Sequence, residues 1–356
     1  MAEFLITLQP IEHFFFGNEK LSVLGNQTVY YSESEYFPQQ SSLLGLLRYI
    51  LLLKFGKLGF GAGDESVINL IGERSFNATD PQIGDFKKIK SLSPVFIRKG
   101  SEYFFPVPKD NGLELIAIEG RVSYGSLNEL VQKTPLLVNY GAKDPISEMM
   151  ISNRGNIIPL VNKDGNNGVF CHTERIGNQK SRDGQPITDG YYRQLAWRIN
   201  PKINYCFAFY ASIDEDMEDY IVSVPFGGDR SPFVVSFTKE KNAQDNIQQY
   251  LPDQPQSLFH KLVLRSDTCV DEEILSKTFF AITASVGFRN INTYVKTTSN
   301  YNKNDTLSGR IFMLKRGSVL YFTDIDSMKL AMKLIDDHQN FKQIGYNLYK
   351  SYELKS

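Results

Sequence analysis

Cysteine, histidine and net charge are all scarce in this chain. Among 356 residues there are three cysteines and four histidines. Cys171, Cys206 and Cys269 are far apart, odd in number and form no CxxC pair. That pattern argues against a disulfide framework or a structural zinc site and fits a reducing cytoplasm. His13, His172, His260 and His338 make neither HExxH nor a paired ligand spacing, so no metal and no cofactor is expected. Long apolar runs are missing too. The longest, 43–53, is interrupted by Gly45 and Arg48 and falls short of the about eighteen residues a membrane span needs. Glu3 stands where a secretory leader would be basic, and residues 4–8 read instead as a first β-strand. The formal net charge is −1. A nucleic-acid site on such a protein has to be a local basic groove rather than a positive coat.

The composition that remains is that of a folded protein. Hydrophobic residues make up 42% of the chain, enough for a packed core, and its length suits two domains. Basic residues gather locally. Between 85 and 110, Lys87, Lys88, Lys90, Arg98, Lys99 and Lys109 outnumber Asp85, Glu102 and Asp110, and Arg310, Lys315 and Arg316 form a second group. Either group can be a solvated face or part of a binding groove.

Residues 36–48, Tyr-Phe-Pro-Gln-Gln-Ser-Ser-Leu-Leu-Gly-Leu-Leu-Arg, are the most informative stretch. Pro38 ends an extended run, and Ser41 or Ser42 can then cap a helix. From Leu43 to Leu53 the helix is apolar on nearly every side and is expected to be buried. Ser41, Gly45 and Arg48 form a narrow exception on one face. A glycine inside a helix costs about 1 kcal/mol against alanine, so its bareness needs a reason. Two are open: close packing with Arg48 snorkelling to water, or a small cationic stripe that receives an RNA phosphate.

Further along, Val95–Ile97 and Tyr103–Val107 bracket a short hairpin turn, and Asp64-Glu65 begins a helix. From 163 to 192 the composition turns polar, with Asp164-Gly165 and Asp183-Gly184 as turn signals. This predicts a long exposed hairpin or loop with Arg175, Lys180 and Arg182 near its tip. Trp197 to Tyr210 returns to β character and opens a second half. There, strands at 203–210 and 233–237, a helix at 272–284, strands at 311–314 and 318–322, a helix at 326–337 and a closing strand at 345–349 follow one another. Strand–helix–strand–strand–helix–strand is the ferredoxin-like pattern.

The loops carry binding chemistry rather than catalytic sets. Cys171-His172 are neighbours that a strand would send to opposite faces. Asp336-Asp337-His338 reads as a helix end. Gly227, Gly228 and Arg230 let a backbone come close and then offer a guanidinium fork for a phosphate. Arg316, Gly317 and Ser318 repeat that chemistry. Tyr191-Tyr192-Arg193 supplies rings that can stack on unpaired bases. Hairpin turns for the glycines and core packing for the aromatics are the plain alternatives at each place.

Taken in order, these stretches resemble the RAMP proteins of CRISPR effector complexes, and among them the family of subunit three of the type III-B (Cmr) complex. Pro38-Gln-Gln-Ser-Ser-Leu-Leu-Gly-Leu-Leu-Arg48 is similar to the family's Pro-x-x-Ser-Thr-x-x-Gly-x-Leu-Arg element. Tyr103-Phe-Phe-Pro-Val-Pro-Lys-Asp110, Gly190-Tyr-Tyr-Arg193, Gly227-Gly-Asp-Arg230 and Arg316-Gly-Ser-Val-Leu-Tyr-Phe322 with Gly345-Tyr-Asn347 resemble four more of its elements. Two departures stand out: an early Phe-Arg-Asp is Phe15-Phe16-Gly17-Asn18 here, and the second glycine of the C-terminal loop is Asn347, a residue that tolerates the left-handed conformation.

The resemblance implies an α+β protein of two ferredoxin-like (RRM-like) domains with a long inserted β-hairpin or loop. Residues 1–198 would be the first domain, carrying a thumb-like insertion near 163–192, and 199–356 the second, with a glycine loop. It implies a non-catalytic subunit that holds the crRNA 5′ handle beside a large polymerase-like subunit and backbone RAMP subunits. Ser41, Ser42, Gly45, Arg48, Arg175, Lys180, Arg182, Tyr192, Arg193, Gly227, Gly228, Arg230, Arg316, Gly317, Ser318 and Gly345 are the RNA-binding candidates it implies. Two other readings are a metal-independent endoribonuclease for precursor crRNA, which needs an acid–base pair such as His13 or His172 with a tyrosine, and a protein-bridging scaffold.

Overall fold

The computed structural model describes residues 2–17, 30–59, 63–110, 115–118, 121–124, 130–131, 136–139, 149–161, 168–180, 183, 185–240, 259–289 and 308–353. It is an α+β chain in which strands predominate. The strands used below are β1 (Ala2–Pro10), β2 (His13–Phe14), β3 (Phe96–Lys99), β4 (Glu102–Pro106), β5 (Phe170–Lys180), β6 (Pro186–Ile199), β7 (Cys206–Ile213), β8 (Ile221–Phe226) and β9 (Ser231–Lys239). In the second half they are β10 (His260–Leu264), β11 (Phe280–Thr283), β12 (Val319–Phe322) and β13 (Tyr349–Tyr352). The helices are α1 (Gln40–Lys54), α2 (Glu65–Ile71), α3 (Glu272–Lys277) and α4 (Ile325–Asp337).

Strand β1 lies inside a nine-stranded sheet whose central order is β8-β9-β1-β7-β3-β4. Ile6 faces Phe209 of β7 on one side and Phe237 of β9 on the other, both antiparallel. Side chains alternate across this sheet. Phe4, Ile6, Leu8, Phe207, Phe209 and Val235 therefore share one face, where Leu43, Leu44, Leu47, Ile50 and Leu51 of α1 cover them. Leu5, Phe96, Tyr103, Phe105, Ala208 and Tyr210 occupy the opposite face.

Strands β7 to β9 join the sheet that β1 begins, so this one sheet draws on residues from Ala2 to Lys239. The inward row Phe207, Phe209, Ala211 is what commits β7 to the first core. Trp197 belongs to a hairpin, not to the opening strand of a new domain.

That hairpin is the long insertion read from 163–192. β5 and β6 pair antiparallel from Phe170 opposite Ile199 to Asn178 opposite Tyr191. The Asp164-Gly165 turn lies outside the described residues. At the root, Trp197 packs against Tyr36 with ring centroids 4.8 Å apart and planes tilted by 37°, and its Nε1 donates to the Ser34 carbonyl at 2.8 Å.

The second sheet has the order β13-β10-β12-β11, these four antiparallel to one another, and Leu136–Asn139 adds a fifth strand parallel to β11. Helix α3 connects β10 to β11, and α4 connects β12 to β13. The strands of this sheet are not all those the sequence suggested: in the second half its first strand is His260–Leu264, whereas 203–210 and 233–237 belong to the β1 sheet and Ile311–Leu314 to a separate three-stranded sheet. The helix expected over 272–284 stops at Thr278, whose backbone is extended, and Phe280-Ala-Ile-Thr283 is a buried strand. Aromatic and β-branched residues there favour the pleated state. The closing strand is Tyr349–Tyr352 rather than 345–349, because Gly345 (φ 92°) and Asn347 (φ 59°) are both left-handed. Helix starts behave as read for α2, where the Asp64 carboxylate accepts from the Ser66 amide at 2.8 Å. Among the described residues no helix is long and apolar enough to cross a membrane.

Candidate nucleic-acid interface

The four-residue turn Gly227–Arg230 joins β8 to β9 and rests on Phe15 and Phe16. The Gly228 amide donates to the Phe15 carbonyl at 2.8 Å. Gly227 has φ 87°, and a Cβ there would lie 2.6 Å from the Phe15 carbonyl oxygen, so a side chain is excluded on two counts. Arg230 is itself left-handed (φ 52°), a conformation that costs an arginine about 1–3 kcal/mol. Its side chain is exposed and has no partner among the described residues.

Asp229 ties this turn to the hairpin. Its carboxylate accepts from Arg175 Nη1 at 3.2 Å and from Gln194 Nε2 at 3.4 Å. Arg175 also meets the His13 ring. The register puts Arg175 opposite Gln194 and Cys171 opposite Arg198, while His13 pairs with Arg198 from β2. His13, Arg175, Gln194 and Arg198 thus share one face of the hairpin. Arg193 lies on the other face, bonded to Glu174 at 3.0 Å (Nη2 to Oε2). Both arginine–carboxylate pairs are exposed. Such pairs are worth about 0–1 kcal/mol, so either guanidinium can exchange its carboxylate for a phosphate at little cost. Tyr192 lies opposite Gly177 and Lys180 opposite Pro186. Arg182 lies outside the described residues.

At the start of α1 the structure departs from expectation. The cap position is Gln39, with no side-chain cap, so neither Ser41 nor Ser42 caps the helix. Gln40 takes over the anchoring: its Nε2 donates to the Ser93 and Ile344 carbonyls at 2.7 Å each, and its Oε1 accepts the Val95 amide at 3.2 Å. Ser41 is half-buried, Ser42 and Gly45 are exposed, and a Cβ on Gly45 would meet nothing within 4 Å. That part of the bare stripe is present. Arg48 is not on it. Only 5% exposed, it turns inward and donates to the Gly72 carbonyl at 3.3 Å. Burial lowers its pKa to about 10. It neither snorkels nor meets solvent-borne phosphate, because its guanidinium is drawn inward to the Gly72 carbonyl that follows α2. Arg48→Ala is expected to lower stability by about 2 kcal/mol and leave RNA affinity per folded molecule unchanged, as paired urea melts and filter binding would report.

Four more predicted contacts are structural joints. Arg316 forms a fork with Asp267 (Nη2 to Oδ2 at 3.2 Å, Nε to Oδ1 at 3.3 Å), donates to the Val95 carbonyl at 3.1 Å and lies 4.6 Å from the Phe37 ring centroid. Gly317 (φ 83°) would place a Cβ 3.0 Å from the Val107 carbonyl oxygen. Ser318 is fully buried, donating to the Lys315 carbonyl at 2.6 Å. Gly345 is pressed against Gln40 and Ser93. These residues hold the second half onto the start of α1, and the core occludes Gly317, Ser318 and Gly345.

The exposed candidates and the joints form one continuous chain of contacts. The Phe16 amide donates to Ser34 Oγ at 2.8 Å, the Glu35 amide to the Phe16 carbonyl at 2.8 Å, and Phe37 lies under Arg316. Sequence reasoning passed over Gln194, Asp229 and Arg198. The usable signal for Arg198 was its alternation with the buried Trp197, which fixes it outward.

Residues 6–136 match the family model described as CRISPR-associated protein (Cas_Cmr3). The chain resembles that family, as its motifs suggest; the helix element 38–48 and the segment 103–110 lie inside the matched region. No curated protein matches. A chain in the cryo-EM structure of the Type III-B Cmr-beta bound to cognate target RNA is similar over 97% of this chain and 96% of its own, at 16% identity and a TM-score of 0.46. A second, in the Type III-B Cmr-beta bound to cognate target RNA and AMPPnP, gives 15% identity, coverage of 97% and 95%, and a TM-score of 0.46. A chain of the Csm3-Csm4 subcomplex in the type III-A CRISPR-Cas interference complex is similar at 12% identity over 90% and 94%, with a TM-score of 0.36.

Proposed function

We propose that this chain is an RNA-binding subunit of a type III-B CRISPR effector complex, holding the crRNA 5′ handle without cutting it. In this reading it is built on two ferredoxin-like folds and sits beside a large polymerase-like subunit and backbone RAMP subunits. The handle crosses the Gly227–Arg230 turn and the hairpin face of Arg175, with Ser42 and Gly45 offering a bare helix surface and Tyr192 a ring for stacking.

The observation that carries it is the state of Arg230. A guanidinium exposed and without a partner, on a glycine turn strained into place, is pre-positioned for a phosphate. The nearby Arg175, paired with Asp229 and touching the His13 ring, adds a second cation. The family match over 6–136 supports the CRISPR setting.

The test is filter binding of labelled CRISPR-repeat RNA at two salt concentrations. Arg230→Ala is expected to weaken binding about tenfold and to lower the salt slope by about 0.7, the single-strand value for one phosphate contact, with an unchanged melting temperature. Equal affinity and slope in variant and wild type would remove the proposal. Intact repeat RNA after incubation in EDTA is expected; a cut product would favour the endoribonuclease instead.

A further inference from the structure

A cleft of about 580 Å³ opens at the root of the hairpin, lined by Gln9, Ile11, His13, Arg198, Lys202 and Asn204 among others. Volumes of about 300–1,000 Å³ are those of small-ligand sites. Its walls are built, not incidental. One wall is the end of β1, where the Ile11 amide donates to the Pro232 carbonyl at 3.0 Å. The other is the turn after β6, which Asn200 fixes: its Nδ2 donates to the Gly168 carbonyl at 3.0 Å and its Oδ1 accepts the Lys202 amide at 3.1 Å.

We infer that this cleft holds one unpaired nucleotide of the same RNA strand, an inference that rests on the RNA-binding reading above. The charges favour a single phosphodiester. Arg198 and Lys202 are exposed cations and Glu12 is the acid among the lining residues, so the fixed charges leave one positive charge in excess. A polyphosphate would bring several negative charges against Glu12. Arg198 has no hydrogen-bond or ionic partner among the described residues. Gln9 and Asn204 likewise have side-chain amides without a partner there. Each amide offers a donor and an acceptor side by side, the pattern that reads a base edge. Pro10, Ile11, Pro201 and Ile203 supply apolar surface for the face of the base.

Continuity gives the cleft its place on a strand path. His13 lines it and also touches Arg175, and Arg175 binds Asp229 in the Gly227–Arg230 turn. A phosphate at Arg230 and a nucleotide in the cleft therefore stand in series on one face of the hairpin.

The experiment uses the full chain and single-stranded repeat RNA containing 4-thiouridine, read by filter binding at two salt concentrations and by photocrosslinking with peptide mapping. Arg198→Ala should weaken binding about tenfold and lower the salt slope by about 0.7. Asn204→Ala should weaken it about threefold with the slope unchanged. Crosslinks should map to residues 198–204. Both side chains are exposed, and melting curves check that the variants stay folded. If Arg230→Ala weakens binding while both cleft variants bind like wild type and no crosslink falls in 198–204, the cleft inference fails and the proposed function stands. If the wild-type chain binds no RNA at either salt, both fail together.

Discussion

Gly345→Val should cost at least about 4 kcal/mol of stability, from a forced left-handed residue at about 1–2 kcal/mol and three displaced buried hydrogen bonds at about 1–3 kcal/mol each. The backbone at Gly345 has φ 92°, and an added Cβ would lie 2.1 Å from Gln40 Nε2 and 2.4 Å from the Ser93 carbonyl oxygen. Neither neighbour can yield freely. Gln40 is fully buried and its amide bridges the Ser93 and Ile344 carbonyls. Pushing it aside orphans two carbonyls and the Val95 amide that its Oε1 accepts. A urea titration should show a lower midpoint with the slope retained. A double-mutant cycle with Gln40→Ala adds a sharper criterion. Both changes break the same bonds, so their effects should fall well short of additive. Full additivity, or a midpoint like that of wild type, would mean that this glycine does not carry the joint.

Much of the architecture was legible because side-chain period encodes it. The alternation in 4–8 marks β1, the apolar run 43–53 marks the buried helix, and the polar stretch 163–192 marks an inserted hairpin. Which sheet a strand joins was not legible, because a strand's partner is not written in its own sequence. Cys206–Ile213 reads equally well as opening a new sheet or completing an old one, and the pairing of Ile6 with Phe209 decides it. The candidate site divides along the same line. Gly227, Gly228 and Arg230 could be read locally, since a turn is a local object. Arg48 and Arg316 could not. Whether an arginine meets solvent or a buried acceptor depends on residues far away in the chain: the Gly72 carbonyl for one and Asp267 for the other. The left-handed Asn347, by contrast, was foreseeable from residue type, and its side chain now bonds the Cys269 amide at 2.9 Å.

The Arg316–Asp267 fork makes the second large effect one that depends on pH. Only 8% of the Arg316 side chain and 19% of the Asp267 side chain is exposed. Burial on its own would raise the Asp267 pKa, but the charge of Arg316, its hydrogen bonds and Lys315 together hold it below the ordinary carboxylate value. A carboxylate depressed in the folded state stabilises the fold above its unfolded pKa of about 3.9, and that contribution drains away as pH falls through the folded value. Asp267→Asn leaves the guanidinium buried against a neutral amide and should cost about 3–5 kcal/mol at neutral pH. The gap between wild type and variant should then hold steady down to about pH 4 and narrow below it. A gap that stays constant to pH 2 would show that the carboxylate's charge is not what matters. Removing both charges, as Asp267→Asn with Arg316→Met, should recover part of the loss, because a buried pair is far less costly to replace whole than to halve. The same fork sets Phe37, two residues before the helix cap, against the second half of the chain. A variant that loosens it should therefore disturb the exposed Ser42–Gly45 surface as well, and weaken RNA binding in proportion to the fraction unfolded rather than through a change in salt slope.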